Sequence, residues 1–362
     1  MRPVRLVSAE LSIASEKIAP PADLSNGSID RRKSGFSPRH PHAHRYSSSM
    51  DSQTLLPICE AVLAQPTAPF HEHAVRAEII RLLAGCPHVT TELDDFGNLV
   101  ARYQKGAAAT RFAFAAHMDH PAFVGAEFLG GVPEDYRARQ PPTRAFGAFA
   151  MWDLPAFELK DGHIHSRACD DLIGCAAIVA MFHELERDGS EASVCGLFTR
   201  AEEVGFIGAI HLSKSGSLPK SLTVVSLETS SEKGGACKMG DGVIVRVGDR
   251  TSIFDSSATA TLIQLARSAA IPHQRALMSG GTCEATAYQL YGYRTAGLCV
   301  ALGNYHNCGP DLRIESEFVA INDVAAMASL CVAAAIAGEL PDPETALRER
   351  LECGLVEYAR FR

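Results

Sequence analysis

Five short segments of this chain place imidazoles and carboxylates at or just beyond the ends of apolar runs, and those groups bind metal ions and move protons. The first, Ala116-His117-Met118-Asp119, closes an apolar strand. With period-two alternation His117 and Asp119 point to one side, so the carboxylate can orient an imidazole that binds a metal. The second, Asp170-Asp171-Leu172-Ile173-Gly174, opens a helix, where acidic residues also serve as caps. The third, Ala201-Glu202-Glu203-Val204-Gly205, follows a run that is apolar through Phe198. Adjacent Glu side chains diverge, so one can ligate a metal while the other faces substrate as a proton acceptor. Glu228 ends the run Thr223-Val224-Val225-Ser226-Leu227, and a charge after a buried strand must reach solvent or find a partner. His306, between Gly303 and Gly309, again follows an apolar strand. Each segment alone has an ordinary reading: a hydrogen-bonded pair, a helix cap, a solvated Glu pair, a structural loop histidine. Together, two His and several carboxylates at strand ends make a metal centre the economical joint explanation. Nitrogen and oxygen donors suit a divalent ion, zinc first, and two ions would need one bridging carboxylate. Cys169 and Cys308 lie within two residues of these groups and read as packing residues.

The elements that must position these side chains are legible as an alternation. Asp51 or Ser52 caps a helix to about residue 65, and Thr67 caps a second through residue 83, where Val75, Ile79, Leu82 and Leu83 repeat at helical spacing. Strands are expected at 99–103, 112–116, 193–198, 222–227, 243–247 and 296–302. Helices are expected at 171–185, 204–212, 256–269, 283–291, 319–337 and 343–358. Apolar strands alternating with helices predict an α/β fold, a three-layer α/β/α arrangement with a central, mostly parallel mixed sheet covered on both faces. In such sheets ligand crevices form at the strand ends. Residues 121–165 break the alternation: rich in Gly, Pro and aromatics, they read as a small β-type insertion.

Composition narrows the function classes. The chain has 362 residues, 46% hydrophobic and 21% charged, which excludes disordered, collagenous and fibrous classes. Its net charge of −8 is uneven: residues 1–49 hold 8 Lys+Arg against 4 Asp+Glu, and residues 50–362 hold 26 against 38, a charge of −12. That acidic body is a poor partner for nucleic acid, which needs a basic face. No apolar stretch reaches the roughly 20 residues that cross a bilayer, so no membrane span is expected. Eleven cysteines without a C-x-x-C pair fit reduced thiols and a cytoplasmic protein. Residues 1–49, rich in Ser, Pro, Arg and His, read as a disordered extension; His40, His42 and His44 there are not counted as a site. Residues 50–362 form the expected catalytic domain.

The order His-x-Asp, Asp-Asp-x-x-Gly, Glu-Glu-Val-Gly, an acidic residue, then His resembles the co-catalytic dinuclear metallopeptidases, and most closely the glutamyl and tetrahedral aminopeptidase family. Asp95-Phe96-Gly97-Asn98-Leu99 and Gly280-Gly281-Thr282 are similar to further segments of that family, and the resemblance spans about residues 55 to 340. The resemblance implies two divalent ions, zinc with cobalt or manganese as alternatives. It makes Asp170 the bridging carboxylate, with a cis peptide to Asp171. It assigns His117 and Glu228 to one ion and Glu203 and His306 to the other. Glu202 would be the general base acting on a water that bridges the ions, and Asp119 would orient His117. Three positions differ from the family pattern: Glu228 stands where Asp is usual, the insertion is about half the usual size, and His120-Pro121 replaces a pair such as Glu-Ile.

The function implied is a metal-dependent aminopeptidase acting on peptides or small amides, in a chain that can form homo-oligomers. The alternatives are a metal-dependent deacylase of N-acyl amino acids, for which Arg275 or Arg294 is an available carboxylate partner, and a non-catalytic metal-binding scaffold. Glu202 and Glu203 are poorly placed as a glycosidase pair, since adjacent residues cannot flank a sugar.

Overall fold

The computed structural model describes residues 50–232, 235–338 and 343–361. The extension at 1–49, with its three histidines, lies outside the described residues. In chain order the first elements are α1 (Ser52–Leu63), α2 (His73–Leu83), β1 (Val89–Leu93), β2 (Leu99–Lys105), β3 (Phe112–His117), β4 (Ala122–Val124) and β5 (Glu127–Leu129). Then come α3 (Glu134–Arg137), β6 (Thr143–Phe146), β7 (Phe149–Trp152), β8 (Glu158–Lys160), β9 (His163–Ser166), α4 (Leu172–Arg187), β10 (Ala192–Thr199) and α5 (Ile207–Ser215). The remainder is β11 (Thr223–Ser231), β12 (Val243–Gly248), α6 (Ser256–Ser268), β13 (His273–Leu277), α7 (Glu284–Leu290), β14 (Arg294–Leu302), β15 (Glu317–Ala320), α8 (Ile321–Ile336) and α9 (Pro343–Glu357). None of the helices is long and apolar enough to cross a membrane, among the described residues.

The main sheet has eight strands in the order β1-β2-β10-β3-β11-β14-β12-β13. Its centre, β10-β3-β11-β14, is parallel, while β1, β2 and the β12/β14 pair run antiparallel. Every residue of β3 and β10 is buried, as a parallel strand covered on both faces requires. One face packs on α1, α2, α4, α6 and α8 through residues such as Leu55, Ile79, Phe182, Phe114, Leu262 and Met327. The other packs on α5 and α7 through Ala209, Leu212, Ala287 and Tyr288. The fold is the expected three-layer α/β/α arrangement with a mixed sheet.

Several local expectations are corrected. Thr67 does not cap a helix: α2 starts at His73, and the Thr67 hydroxyl donates to the Met118 carbonyl at 2.5 Å, tying the preceding turn to the end of β3. The helix expected from 204 begins at Ile207, because Ala201 and Phe206 take left-handed φ of 55° and 60° and turn the chain first. The helix expected from 319 begins at Ile321, since β15 pairs antiparallel with β9. Residues 122–152 fold into a four-stranded sheet, β5-β4-β7-β6, and β8 and β9 join β15 in a three-stranded one.

Close packing of α4 on the sheet sets the position of the site's helix. A Cβ at Gly196 in β10 would stand 2.6 Å from Ile178 Cγ2 and 2.9 Å from Phe182 Cε2, both fully buried on α4. Gly196→Ala therefore forces helix and sheet apart, and we expect a loss of about 1–3 kcal/mol in unfolding free energy, read by urea denaturation. An unchanged midpoint would show that α4 is not locked at this distance.

Candidate metal centre

The parallel strands end on one edge, and the loaded segments meet there. His117 is the last residue of β3, and Glu202 and Glu203 follow β10. Asp170 precedes α4, whose N-cap is Asp171, and the Asp170–Asp171 peptide is cis. Glu228 lies within β11, which runs on to Ser231, beyond the end inferred from sequence. His306 follows β14 in a single 3-10 turn with left-handed φ of 52°. Residues as far apart in sequence as His117 and His306 thus meet because adjacent parallel strands all deliver their C-terminal ends to one side.

Asp170 is the centre of the cluster. Its Oδ1 lies 3.6 Å from His117 Nε2 and its Oδ2 3.5 Å from His306 Nε2. His306 Nε2 is also 3.2 Å from Glu203 Oε1, and His117 Nε2 is 3.9 Å from Glu202 Oε2. Three groups each bring one donor atom per residue within 4.8 Å of the others: His117, Asp170 and Glu228; Asp170, Glu203 and His306; His117, Glu202 and Glu203. All seven residues singled out from the sequence therefore lie in or against this one cluster.

Both imidazoles are oriented through their other nitrogen. His117 Nδ1 donates to the Asp119 carbonyl at 3.1 Å, and His306 Nδ1 donates to the Gly131 carbonyl at 3.2 Å. A carbonyl only accepts, so each Nδ1 carries a proton, and each Nε2 faces carboxylates, where it can hold either a second proton or a cation. The Asp119 carboxylate lies 3.6 Å from His117 Nδ1, and its Oδ1 and Oδ2 also accept from the backbone amides of Glu202 and Glu203 at 2.9 and 3.1 Å.

Supporting residues that sequence reasoning missed hold this frame. Glu317, fully buried, accepts from the Asp170 amide at 3.0 Å and the His306 amide at 2.8 Å, one with each oxygen. His120 faces the Asp170 carbonyl at 2.7 Å and Asn307 Oδ1 at 3.1 Å. Glu72, also fully buried, pairs with Arg200 at 2.7 Å and accepts from the Ala201 amide at 3.0 Å, while Asn98 Oδ1 takes the Arg200 amide. Arg246 and Glu284 lie buried nearby. Arg246 had a signal: a lone cation inside the apolar run Val243-Ile244-Val245-Arg246-Val247. Arg275 and Arg294, the cations named from sequence, are exposed on their strands.

The electrostatics are those of crowded anions. Burial pushes Glu202 well up, and Glu228, Glu203 and Glu284 add to that while His117 opposes it. Burial and Asp170 raise Glu228 to about 8, and burial raises Glu284 and Glu317 to about 7. Asp170 is held well below the usual carboxylate range, since the two imidazoles outweigh its burial. Burial would lower both histidines, yet Glu202 and Asp119 drive His117 well up, and Glu203 and Asp170 do the same for His306.

The donor set fits divalent cations. Asp170 Oδ1 and Glu203 Oε1 are buried without a hydrogen-bond partner, and each faces an imidazole Nε2, a position where a cation can replace the proton that the crowded carboxylates otherwise draw onto the ring. The thiols do not compete: Cys169 is buried, and Cys175 donates to the His117 carbonyl at 3.2 Å.

A family model described as M42 glutamyl aminopeptidase matches residues 144–330, a segment holding Asp170, Glu202, Glu203, Glu228 and His306. No curated protein matches the chain. Among solved structures, the Pyrococcus horikoshii TET1 peptidase is 20% identical with a TM-score of 0.64, covering 78% of this chain and 99% of that one. A TET aminopeptidase from a marine sediment Thaumarchaeota archaeon is 18% identical with a TM-score of 0.66, covering 81% and 99%. An aminopeptidase from the archaeon Desulfurococcus kamchatkensis is 19% identical with a TM-score of 0.65, covering 81% and 96%. With a family match over more than half its length and the same fold as these structures, the chain belongs to the M42 glutamyl aminopeptidase family and is a metal-dependent hydrolase.

Proposed function

We propose that this protein is an aminopeptidase that removes N-terminal residues from peptides, with Glu202 as general base and two divalent ions, zinc by preference, held by His117, Asp170, Glu203, Glu228 and His306. The observation that carries this reading is the convergence of two donor triads on Asp170, whose oxygens face different imidazoles. His117, Asp170 and Glu228 would hold one ion, and Asp170, Glu203 and His306 the other. When bound, the ions supply positive charge that acidifies water and polarises the scissile carbonyl.

The protein's own residues do the rest. Glu202 takes a proton from the attacking water and returns it to the leaving amine, and its raised proton affinity suits both transfers near neutrality. Asp119 acts through the backbone: by accepting from two successive amides it fixes the directions in which Glu202 and Glu203 leave the chain. Glu317 ties the Asp170 and His306 backbones together, so the two triads keep their spacing. Solved neighbours are described as a dodecamer and as a tetrahedron or octahedral shell, and we extend a homo-oligomeric state to this chain.

Glu202→Gln keeps the shape and removes the base, so turnover of an aminoacyl amide should fall about 1,000-fold with zinc content unchanged, measured by steady-state kinetics and elemental analysis. Full turnover by that variant would remove Glu202 from the chemistry. Asp119→Asn turns an amide N–H₂ toward a backbone N–H, and we expect zinc affinity about 10- to 100-fold lower in a competitive chelator titration; equal affinity would sink the positioning role.

The third expectation concerns pH. Glu228, Glu284 and Glu317 bind protons more tightly in the folded chain than at a carboxyl's ordinary value of 4.5, and His117 and His306 more tightly than at an imidazole's ordinary 6.5. Their contribution to stability is complete below those unfolded values; that of the three Glu is lost as pH rises through about 7 to 8, and that of the two His is lost only well above 6.5. Chelated protein should therefore lose melting temperature from about pH 5 to 8.5, while zinc, whose binding displaces those protons, should cancel the trend. Thermal unfolding with and without chelator reads this, and chelated protein that gains stability over that range would refute the ligand assignment.

A further inference from the structure

Helix α9 presents an apolar seam that its own chain leaves open. Leu347, Leu351 and Leu355 follow one another at intervals of four residues and Tyr358 comes three further on, the spacing with which one helix meets another. These four side chains are 45–66% exposed, and Val356 and Phe361 are more exposed still. Within the chain α9 stands beside α6, but the two helices do not close on each other. A cleft of about 570 Å³ lies between them, walled by Leu347, Leu351 and Leu355 on one side and Ala260 on the other. A helix of 15 residues is marginal in water by itself, so an uncovered seam on it calls for a second surface.

The charges around the seam say what that surface is. Residues 343–362 hold four Arg against four Glu, in a body that carries −12 over residues 50–362, so two copies can approach at α9 without the repulsion they meet elsewhere. Arg348 and Glu352 lie on the flank that lines the cleft. Arg350 and Glu357, seven residues or two turns apart, share the opposite flank. Neither forms an ion pair within its own chain, among the described residues. Antiparallel pairing of two α9 helices sets Arg350 of each copy against Glu357 of the other, twice by symmetry. Parallel pairing would set Arg350 against Arg350 and Glu357 against Glu357. The family model ends at residue 330, so this seam belongs to a part of the chain outside that match.

We propose that α9 is a self-association surface whose occupant is α9 of a second copy, packed antiparallel and crossing near Gly354. The leucine seams meet at the centre, the α6 cleft gives each incoming helix a second apolar wall, and the two Arg350–Glu357 pairs fix the direction. The contact goes beyond the homo-oligomeric state proposed above by naming the surface, and it stands on the residues of α9 and not on the peptidase reading.

The test uses the full chain with Cys353, the exposed thiol of α9, changed to Ser. A Cβ at Gly354 meets nothing nearer than Tyr358 Cδ2 at 3.9 Å, so Gly354→Cys puts a thiol at the crossing without displacing a neighbour. Under mild oxidation at micromolar concentration this protein should run as a covalent dimer on a non-reducing gel, and Cys353→Ser alone should not. Arg350→Cys should not cross-link either, because antiparallel pairing leaves the two copies of residue 350 about 10 Å apart along the axis, beyond the roughly 7 Å that a disulfide bridges. Adding Arg350→Glu to the Gly354→Cys protein should lower the dimer yield about 5- to 10-fold, and Glu357→Arg in the same chain should restore it. That restoration rules out misfolding as the cause of the loss. No dimer from Gly354→Cys overturns the proposal, and cross-linking through Arg350→Cys, or no recovery in the doubly reversed chain, overturns the antiparallel arrangement. Sedimentation of wild type separates this contact from the oligomeric state: an assembly of two or more copies without the Gly354→Cys cross-link keeps that state and removes α9 from it, whereas a monomer removes both.

Discussion

Anions packed at short range in a dry interior are the constraint on which the rest of this structure turns. Asp119, Asp170, Asp171, Glu202, Glu228, Glu284 and Glu317 are all buried around the ends of four strands, with Glu203 beside them. Two imidazoles cannot balance so many carboxylates, and Glu202, Glu228 and Asp171 are pushed up first by burial and then by their carboxylate neighbours. Left to itself such a cluster would swell and admit water, because each desolvated charge is worth several kilocalories of penalty and like charges repel strongly at low dielectric. Cations resolve the problem only if the donors are held where the cations need them.

Rigidity is therefore built at the backbone, one layer behind the donors. Each functional side chain has its own main chain fixed by a second buried carboxylate or amide: Asp119 under Glu202 and Glu203, Glu317 under Asp170 and His306, Glu72 and Asn98 around Arg200 and Ala201. Non-glycine residues in the left-handed region concentrate at the same loops, with Ala201, Asn304, His306 and Asn307 at φ of 52–62°. Such conformations cost on the order of 1–3 kcal/mol each and persist where surrounding contacts leave the chain no alternative. The surrounding contacts here are a sheet whose central strands are buried on both faces and a helix, α4, pressed onto Gly196.

The parts of this architecture that were legible in the sequence are those where burial and chemistry contrast sharply. Strands β3, β10, β11 and β14 read as apolar runs because both faces are covered, and His117, Asp170, Glu202 and His306 stand out because they interrupt or terminate apolar order. Edge strands carry no such contrast: Val89-Thr90-Thr91-Glu92-Leu93 of β1 is mostly exposed, and β13 is polar on one side, so neither was found. Thr67 had the residue type of a cap, but a tertiary bond to Met118 claimed its hydroxyl. Glu317 and Glu72 gave no signal, because a carboxylate that pins a backbone amide far away in sequence is indistinguishable from a solvated one until the chain is folded. Arg246 was visible in principle; a charge inside an otherwise apolar strand has to be answered by a partner, and that strand was read only for its periodicity.

The pair Glu202-Glu203 shows how neighbouring residues of one type can be aimed at different partners. Their amides are held by the two oxygens of a single carboxylate, Asp119, so the pair is clamped as a unit and cannot exchange roles by rotating the backbone. From that fixed base Glu203 reaches His306 at 3.2 Å, whereas Glu202 approaches His117 only to 3.9 Å and keeps 9% of its surface open. In the proposed mechanism the closer carboxylate is the ligand and the looser one, whose proton affinity burial raises, is the base. The distinction does not lie in the side chains, which are chemically identical, but in the left-handed Ala201 and the Asp119 clamp that aim them. A base must release the proton it accepts, and a carboxylate locked onto a cation could not; on the proposed reading, the backbone geometry that separates the two belongs to the catalytic apparatus as much as the carboxylates themselves.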